Sequence, residues 1–169
     1  MPYGIVVFNQ KTIGPIDQED VLSTVTESNF HTLCEQYGLA AELLGHGSDH
    51  LHLNILLHGD LPVFQLDYRS DHRIPLTVYR WPASSQNGRA YMAQMQNEIE
   101  VIVDQEYLTR ILQVILIEIT RPQLEDLGIL LAYEIARWAA FCGNGIMHAL
   151  DGKWYRLNEN KAFIPMGDV

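Results

Sequence analysis

Residues 120–157 read TRPQLEDLGILLAYEIARWAAFCGNGIMHALDGKWYRL, and this stretch decides the fold. Pro122 has a fixed φ and no amide hydrogen, so it suits the first turn of a helix just after Thr120 and Arg121. Glu125 and Asp126 then sit near the positive end of the helix dipole. Leu124, Leu127, Leu131, Ile135, Trp138 and Cys142 recur at three- and four-residue spacing. Ile129, Leu130, Tyr133 and Phe141 widen that apolar stripe. Asp126, Glu134 and Arg137 leave a narrow polar edge, which predicts one long helix covered on most sides. The same charges, with Glu125, interrupt it too often for a membrane span. Gly143 is expected to take the left-handed conformation that ends the helix. A buried strand, a turn at Asp151-Gly152 and a second strand follow.

Working outward, residues 114–119 form an apolar run that predicts a buried strand leading into this helix. Tyr91, Met92, Met95, Ile99, Ile102 and Val103 fit helical spacing better than the strand alternation that 99–103 also allows. Residues 63–68 and 74–81 predict two strands joined by a polar hairpin loop at 69–73. In 50–58, Leu51, Leu53, Ile55 and Leu57 face one way while His50, His52, Asn54 and His58 face the other. Residues 17–37 read as helix, either one or two meeting near Ser28, ending at Gly38, and residues 3–8 as a short apolar strand. The tail after Asn158 has too little apolar content to place. The fold class expected is α+β: a mainly antiparallel sheet with helices packed on it and a β-α-β-β closing unit, in a single globular domain over 1–169.

Composition narrows the function classes. A chain of 169 residues, 47% hydrophobic and 19% charged, has the balance of a globular domain. A formal charge of −10 opposes binding to a nucleic-acid backbone and suits a basic protein partner. The first residues, MPYGIVVFNQ, lack the basic region and long apolar run of a signal peptide. Cys34 and Cys142 form no Cys-x-x-Cys pair, so a reduced, cytoplasmic protein is expected, with no membrane partner. An unpaired apolar strand edge would be a route to a homodimer.

Chemistry is richest at Gly45-His46-Gly47-Ser48-Asp49-His50-Leu51-His52. On a strand, positions i and i+2 share a face, so His50 and His52 can bind one metal ion through their imidazoles. His46 or Asp49 can supply a third ligand, and an open fourth position would activate water for hydrolysis. Zinc or another divalent ion would be the cofactor in that reading, and none is required otherwise. The commoner explanation is a polar face of imidazoles on a half-exposed strand. Elsewhere, Cys142 lies at a helix C-terminus, where the dipole raises a thiol pKa. Ser84-Ser85 has no Gly-x-Ser-x-Gly elbow around it. Gly143-Asn144-Gly145 follows a helix instead of preceding one, so it reads as a cap and not a phosphate loop.

One resemblance emerges at the closing segment. Leu131-Ala132-Tyr133-Glu134-Ile135-Ala136-Arg137, then Gly143, Gly145-Ile146-Met147, Asp151-Gly152 and Trp154-Tyr155, resembles a pattern in small bacterial toxin-immunity families. That resemblance implies a cytosolic, non-catalytic α+β protein that binds and blocks a partner. The sequence therefore points first to protein–protein binding with no catalytic residues assigned. Second comes a metal-dependent hydrolase on His50 and His52, and third a small-molecule sensing domain with Tyr79, Trp81 and the His50 strand lining a pocket.

Overall fold

The computed structural model describes residues 3–13, 18–26, 35, 54–57, 63–67, 75–125 and 127–167. Two strands buried along most of their length set its frame: β1 (Tyr3–Asn9) and β5 (Gln113–Ile119). A strand is apolar on both sides when both sides are covered. These two lie side by side and antiparallel, in register from Tyr3↔Ile119 to Asn9↔Gln113. Around them are β2 (Asn54–Leu57), β3 (Val63–Asp67), β4 (Leu76–Pro82), β6 (Gly145–His148), β7 (Trp154–Leu157) and β8 (Phe163–Pro165). Among the described residues they make one eight-stranded sheet of order β2-β3-β4-β5-β1-β6-β7-β8, with every neighbouring pair antiparallel. The helices are α1 (Gln18–Thr26), α2 (Gln86–Ile102), α3 (Gln105–Thr109), α4 (Arg121–Leu124) and α5 (Gly128–Gly143).

The chain is α+β, as the pattern predicts. Because β5 and β6 both run antiparallel to β1, they are parallel to each other, and α5 spans the crossover between them. The closing β-α-β unit is therefore split by the first strand of the chain.

Period-two alternation sends each strand's residues to two separate cores. Ile5, Val7, Ile115, Ile117 and Met147 face α5, where Leu127, Leu130, Leu131, Ile135 and Ala139 cover them; Val21 of α1 joins this layer. Val6, Phe8, Val114, Leu116, Ile146 and Trp154 face the opposite side, under Ile99 of α2. Each fully buried Leu or Ile contributes about 1.5–3 kcal/mol of transfer free energy. Layers on both faces explain why β1 and β5 carry almost no solvent-facing residue.

Four expectations for the closing segment change. The single long helix is two: Thr120 caps α4 in a capping box with Gln123, and α4 ends at Leu124 before α5 begins at Gly128. The left-handed residue is Asn144 (φ 50°), one position beyond Gly143, which ends α5 as a helical residue. Gly143 is needed for space: a Cβ there would lie 2.2 Å from Cγ and Nδ2 of the fully buried Asn9. Glu134, placed on the polar edge by periodicity, is 1% exposed and held by the guanidinium of Arg137 one turn on. Phe141 and Cys142, counted as apolar surface, are exposed.

The tail also gains a place. After Asn158 the chain forms β8 beside β7, and Phe163 enters the core at 4% exposure. Of the segment 17–37, residues 18–26 are helical; within 50–58, residues 54–57 are strand, and the remainder of both lies outside the described residues except helical Glu35. Among the described residues no helix is long and apolar enough to cross a membrane.

Candidate functional site

The feature best suited to binding is a cleft where α2 and α3 meet the end of α5. Its outer wall is built locally. Ser85 caps α2 by accepting from the amide of Gly88 at 3.1 Å, and Gly88 packs so closely that a Cβ would lie 2.1 Å from the carbonyl of Pro82. At the other end Val103 leaves the helix in an extended conformation, and Asp104 caps α3 by accepting from the amide of Tyr107 at 2.8 Å. That abrupt turn projects Ile102, Val103 and Tyr107 towards the C-terminus of α5. The facing wall is Ala140, Phe141, Asn144 and Gly145, and the floor includes Ile146 and Leu157.

Between them lies a cleft of about 690 Å³, a size typical of small-molecule sites. Its polar groups are Lys11, Asp104, Tyr107, Asn144, Arg156 and Asn158. Burial pushes the Tyr107 phenol up to about 12, so its hydroxyl is a neutral donor at physiological pH. Asn144 donates to the side chain of Gln10 at 2.8 Å, fixing the left-handed turn at the cleft mouth. No local pattern in the sequence signals this grouping. Lys11, Tyr107 and Arg156 are far apart in the chain; β6 joins β1 to β7 and so brings Lys11 and Arg156 to one cleft, to which α3 adds Tyr107.

Beside the cleft is an acidic shoulder. Glu98 and Glu100 occupy the end of α2, with no basic residue in its last turn, and Asp104 and Glu106 follow. Carboxylates near the negative end of a helix cost stability instead of adding it. Val101 sits among them at 86% exposure. Gln96 and Gln105 both donate to Glu100, and Glu106 pairs with Arg110.

A third feature is aromatic. Tyr79 and Trp81 of β4 stack at 5.2 Å, and Tyr91 of α2 stacks on Trp81 at 5.5 Å. Burial first, and the Glu118 carboxylate second, raises the pKa of both Tyr79 and Tyr91. Tyr79 and Trp81 stack along β4, and Tyr91 is a partner the sequence did not suggest. Their rings fill the space between sheet and helix.

His46, Asp49, His50 and His52 all lie outside the described residues. Among the described residues no group of three His, Cys, Asp or Glu is placed to hold a metal ion. His148 lies 3.3 Å from a carboxylate oxygen of Glu98 and packs its ring on Trp154.

The Cys142 thiol is raised as expected, but burial is the main cause, followed by Asp20, with Lys161 opposing. A raised pKa leaves less thiolate at neutral pH. Iodoacetamide labelling of Cys142, followed by peptide mapping, should therefore be slower than that of glutathione and should accelerate as pH rises. Labelling as fast as glutathione would contradict the shift.

No family model matches the chain, and comparison with curated proteins and with solved structures returns no match.

Proposed function

We propose that the chain is a non-catalytic binding module of immunity-like type that engages a basic protein partner through the acidic shoulder at the end of α2. The observation that carries this reading is the placement of Glu98 and Glu100 against the helix dipole, around the exposed Val101. A sequence that breaks a local stability rule at an exposed position points to selection for contact there. An apolar side chain ringed by like charges has the layout of an interface: the centre is desolvated on binding while the rim steers the partner. The overall charge of −10 acts in the same direction. The residues that carry the toxin-immunity likeness support architecture: Leu131, Ala132, Glu134, Ile135 and Ala136 are buried and cannot touch a partner.

Stability and binding should move oppositely at this shoulder. Glu100→Gln keeps an acceptor for Gln96 and Gln105 but removes the charge, and it should stabilise the fold by about 0.3–1 kcal/mol. In the pair Glu98→Gln with Glu100→Gln, Tm should hold or rise while partner affinity falls. The test is affinity capture with wild type and this double variant at roughly 0.1 M and 1 M salt, where the Debye length drops from about 10 to 3 Å. A basic protein held by wild type at low salt, released at high salt and weakly held by the variant fits the proposal. Capture indifferent to both salt and variant contradicts it.

A further inference from the structure

The cleft has a surplus of hydrogen-bond donors in an otherwise acidic chain. Lys11 and Arg156 both line it, and among the described residues neither side chain has a hydrogen-bond or ion-pair partner. Asn158 has spent its carbonyl: Oδ1 accepts from the amides of Asn160 and Ala162 at 2.9 and 3.0 Å, so Nδ2 is what it has left to offer. The hydroxyl of Tyr107 adds a neutral donor. Acceptors are fewer. Asp104 accepts the amide of Tyr107 through Oδ1, which leaves Oδ2 and one negative charge against the two positive ones, and the oxygen of Asn144 sits at the mouth. Below these groups the surface is apolar, formed by Ile102, Ile146 and Met166.

We propose that this cleft binds an organic acid, its carboxylate held by Lys11 and Arg156 and its apolar body lying on Ile102, Ile146 and Met166. A guanidinium matches a carboxylate with two parallel hydrogen bonds, and an ammonium adds charge without constraining direction. A cationic ligand would bring a third positive charge to the site. A neutral apolar ligand would offer Lys11 and Arg156 no acceptor and no charge to pair with. Discrimination therefore rests on the head group, and the apolar floor adds affinity common to all ligands of one length.

The site adjoins the partner-binding shoulder and shares Asp104 with it, but Glu98, Glu100 and Val101, which carry the shoulder, do not line the cleft. Failure of one proposal leaves the other standing. The test is calorimetric titration of the whole chain with octanoate, octanol, octylamine and inorganic phosphate, with Tm followed in parallel. Octanoate is expected to bind saturably at one site and raise Tm. Lys11→Gln and Arg156→Gln are exposed substitutions that leave the Tm of the ligand-free protein unchanged. Each should weaken octanoate roughly tenfold, the loss of a hydrogen bond to a charged group. The proposal is overturned by absence of saturable octanoate binding or by octanol or octylamine binding equally well. Equal affinity for inorganic phosphate, or unchanged octanoate affinity in both variants, overturns it as well.

Discussion

Gly143→Ala is expected to destabilise the fold by about 3 kcal/mol, the upper end of the usual cost of overpacking. For a chain of this length that lowers Tm by roughly 6–12 °C. Helix propensity alone gives the opposite sign, because alanine is favoured over glycine in a helix interior by about 1 kcal/mol. Space decides between the two effects. The new Cβ would meet Cγ and Nδ2 of Asn9 at 2.2 Å, and Asn9 is fully buried, with Nδ2 donating to the carbonyl of Ala139 at 3.3 Å. It has nowhere to swing. Asn9→Ala removes the obstructing atoms at the cost of that hydrogen bond, about 1 kcal/mol. The double variant should then lie well above the sum of the singles, since alanine at 143 regains its helical advantage. Additive losses in denaturant unfolding would show that the cost lies elsewhere.

Arg137→Ala should cost about 3 kcal/mol, lowering Tm by a further comparable amount when measured alone. Glu134 is 1% exposed, and Arg137, at 25%, grips both of its carboxylate oxygens. Truncating the arginine withdraws three charge-assisted hydrogen bonds from a carboxylate that water cannot reach, and the partial exposure of Arg137 places the effect at the lower end of the range for buried pairs. Replacing both residues with leucine should recover most of the loss, because a buried pair rarely outperforms good packing. Glu106 and Arg110 provide the control. They are also one helical turn apart, but 68% and 62% exposed, so Arg110→Ala should cost no more than about 0.5 kcal/mol. Equal effects at the two arginines would contradict the importance of burial.

The control pair and the buried pair look alike in sequence, and that similarity marks where reading from residues stops. Periodicity places Glu134 on a polar edge because it registers polarity and not what lies opposite; the burial of Glu134 is a tertiary fact. Strands β1, β4, β5, β6 and β7, the helix over 86–102 and the Asp151-Gly152 hairpin were legible, because each announces itself in local pattern or turn chemistry. β8 was not. Three residues, Phe163–Pro165, are too few to show alternation, and they become a strand through pairing with β7. Gly143 was recognised as special for a reason that belongs to Asn144: a sequence shows a glycine but not the asparagine of β1 that needs its missing Cβ.

The candidate site was less legible than the fold. Its lining comes from the end of β1, the α2–α3 turn, the cap of α5 and β7, and one sequence specifies faces but not neighbours. The shoulder is partly visible in the sequence as the carboxylates Glu98, Glu100, Asp104 and Glu106, a pattern that a solvated helix face also produces. What sets it apart is the exposure of Val101 and the position of the charges at the wrong end of the helix.

The most direct measurement compares two baits that differ at one residue, wild type and Val101→Arg. The site is exposed and arginine is a good helix former, so Tm should be unchanged. If the shoulder binds a basic protein, that protein is retained by wild type and lost from the variant, which has placed a positive charge at the centre of the contact. If both baits retain the same proteins in the same amounts, the shoulder is not a binding surface.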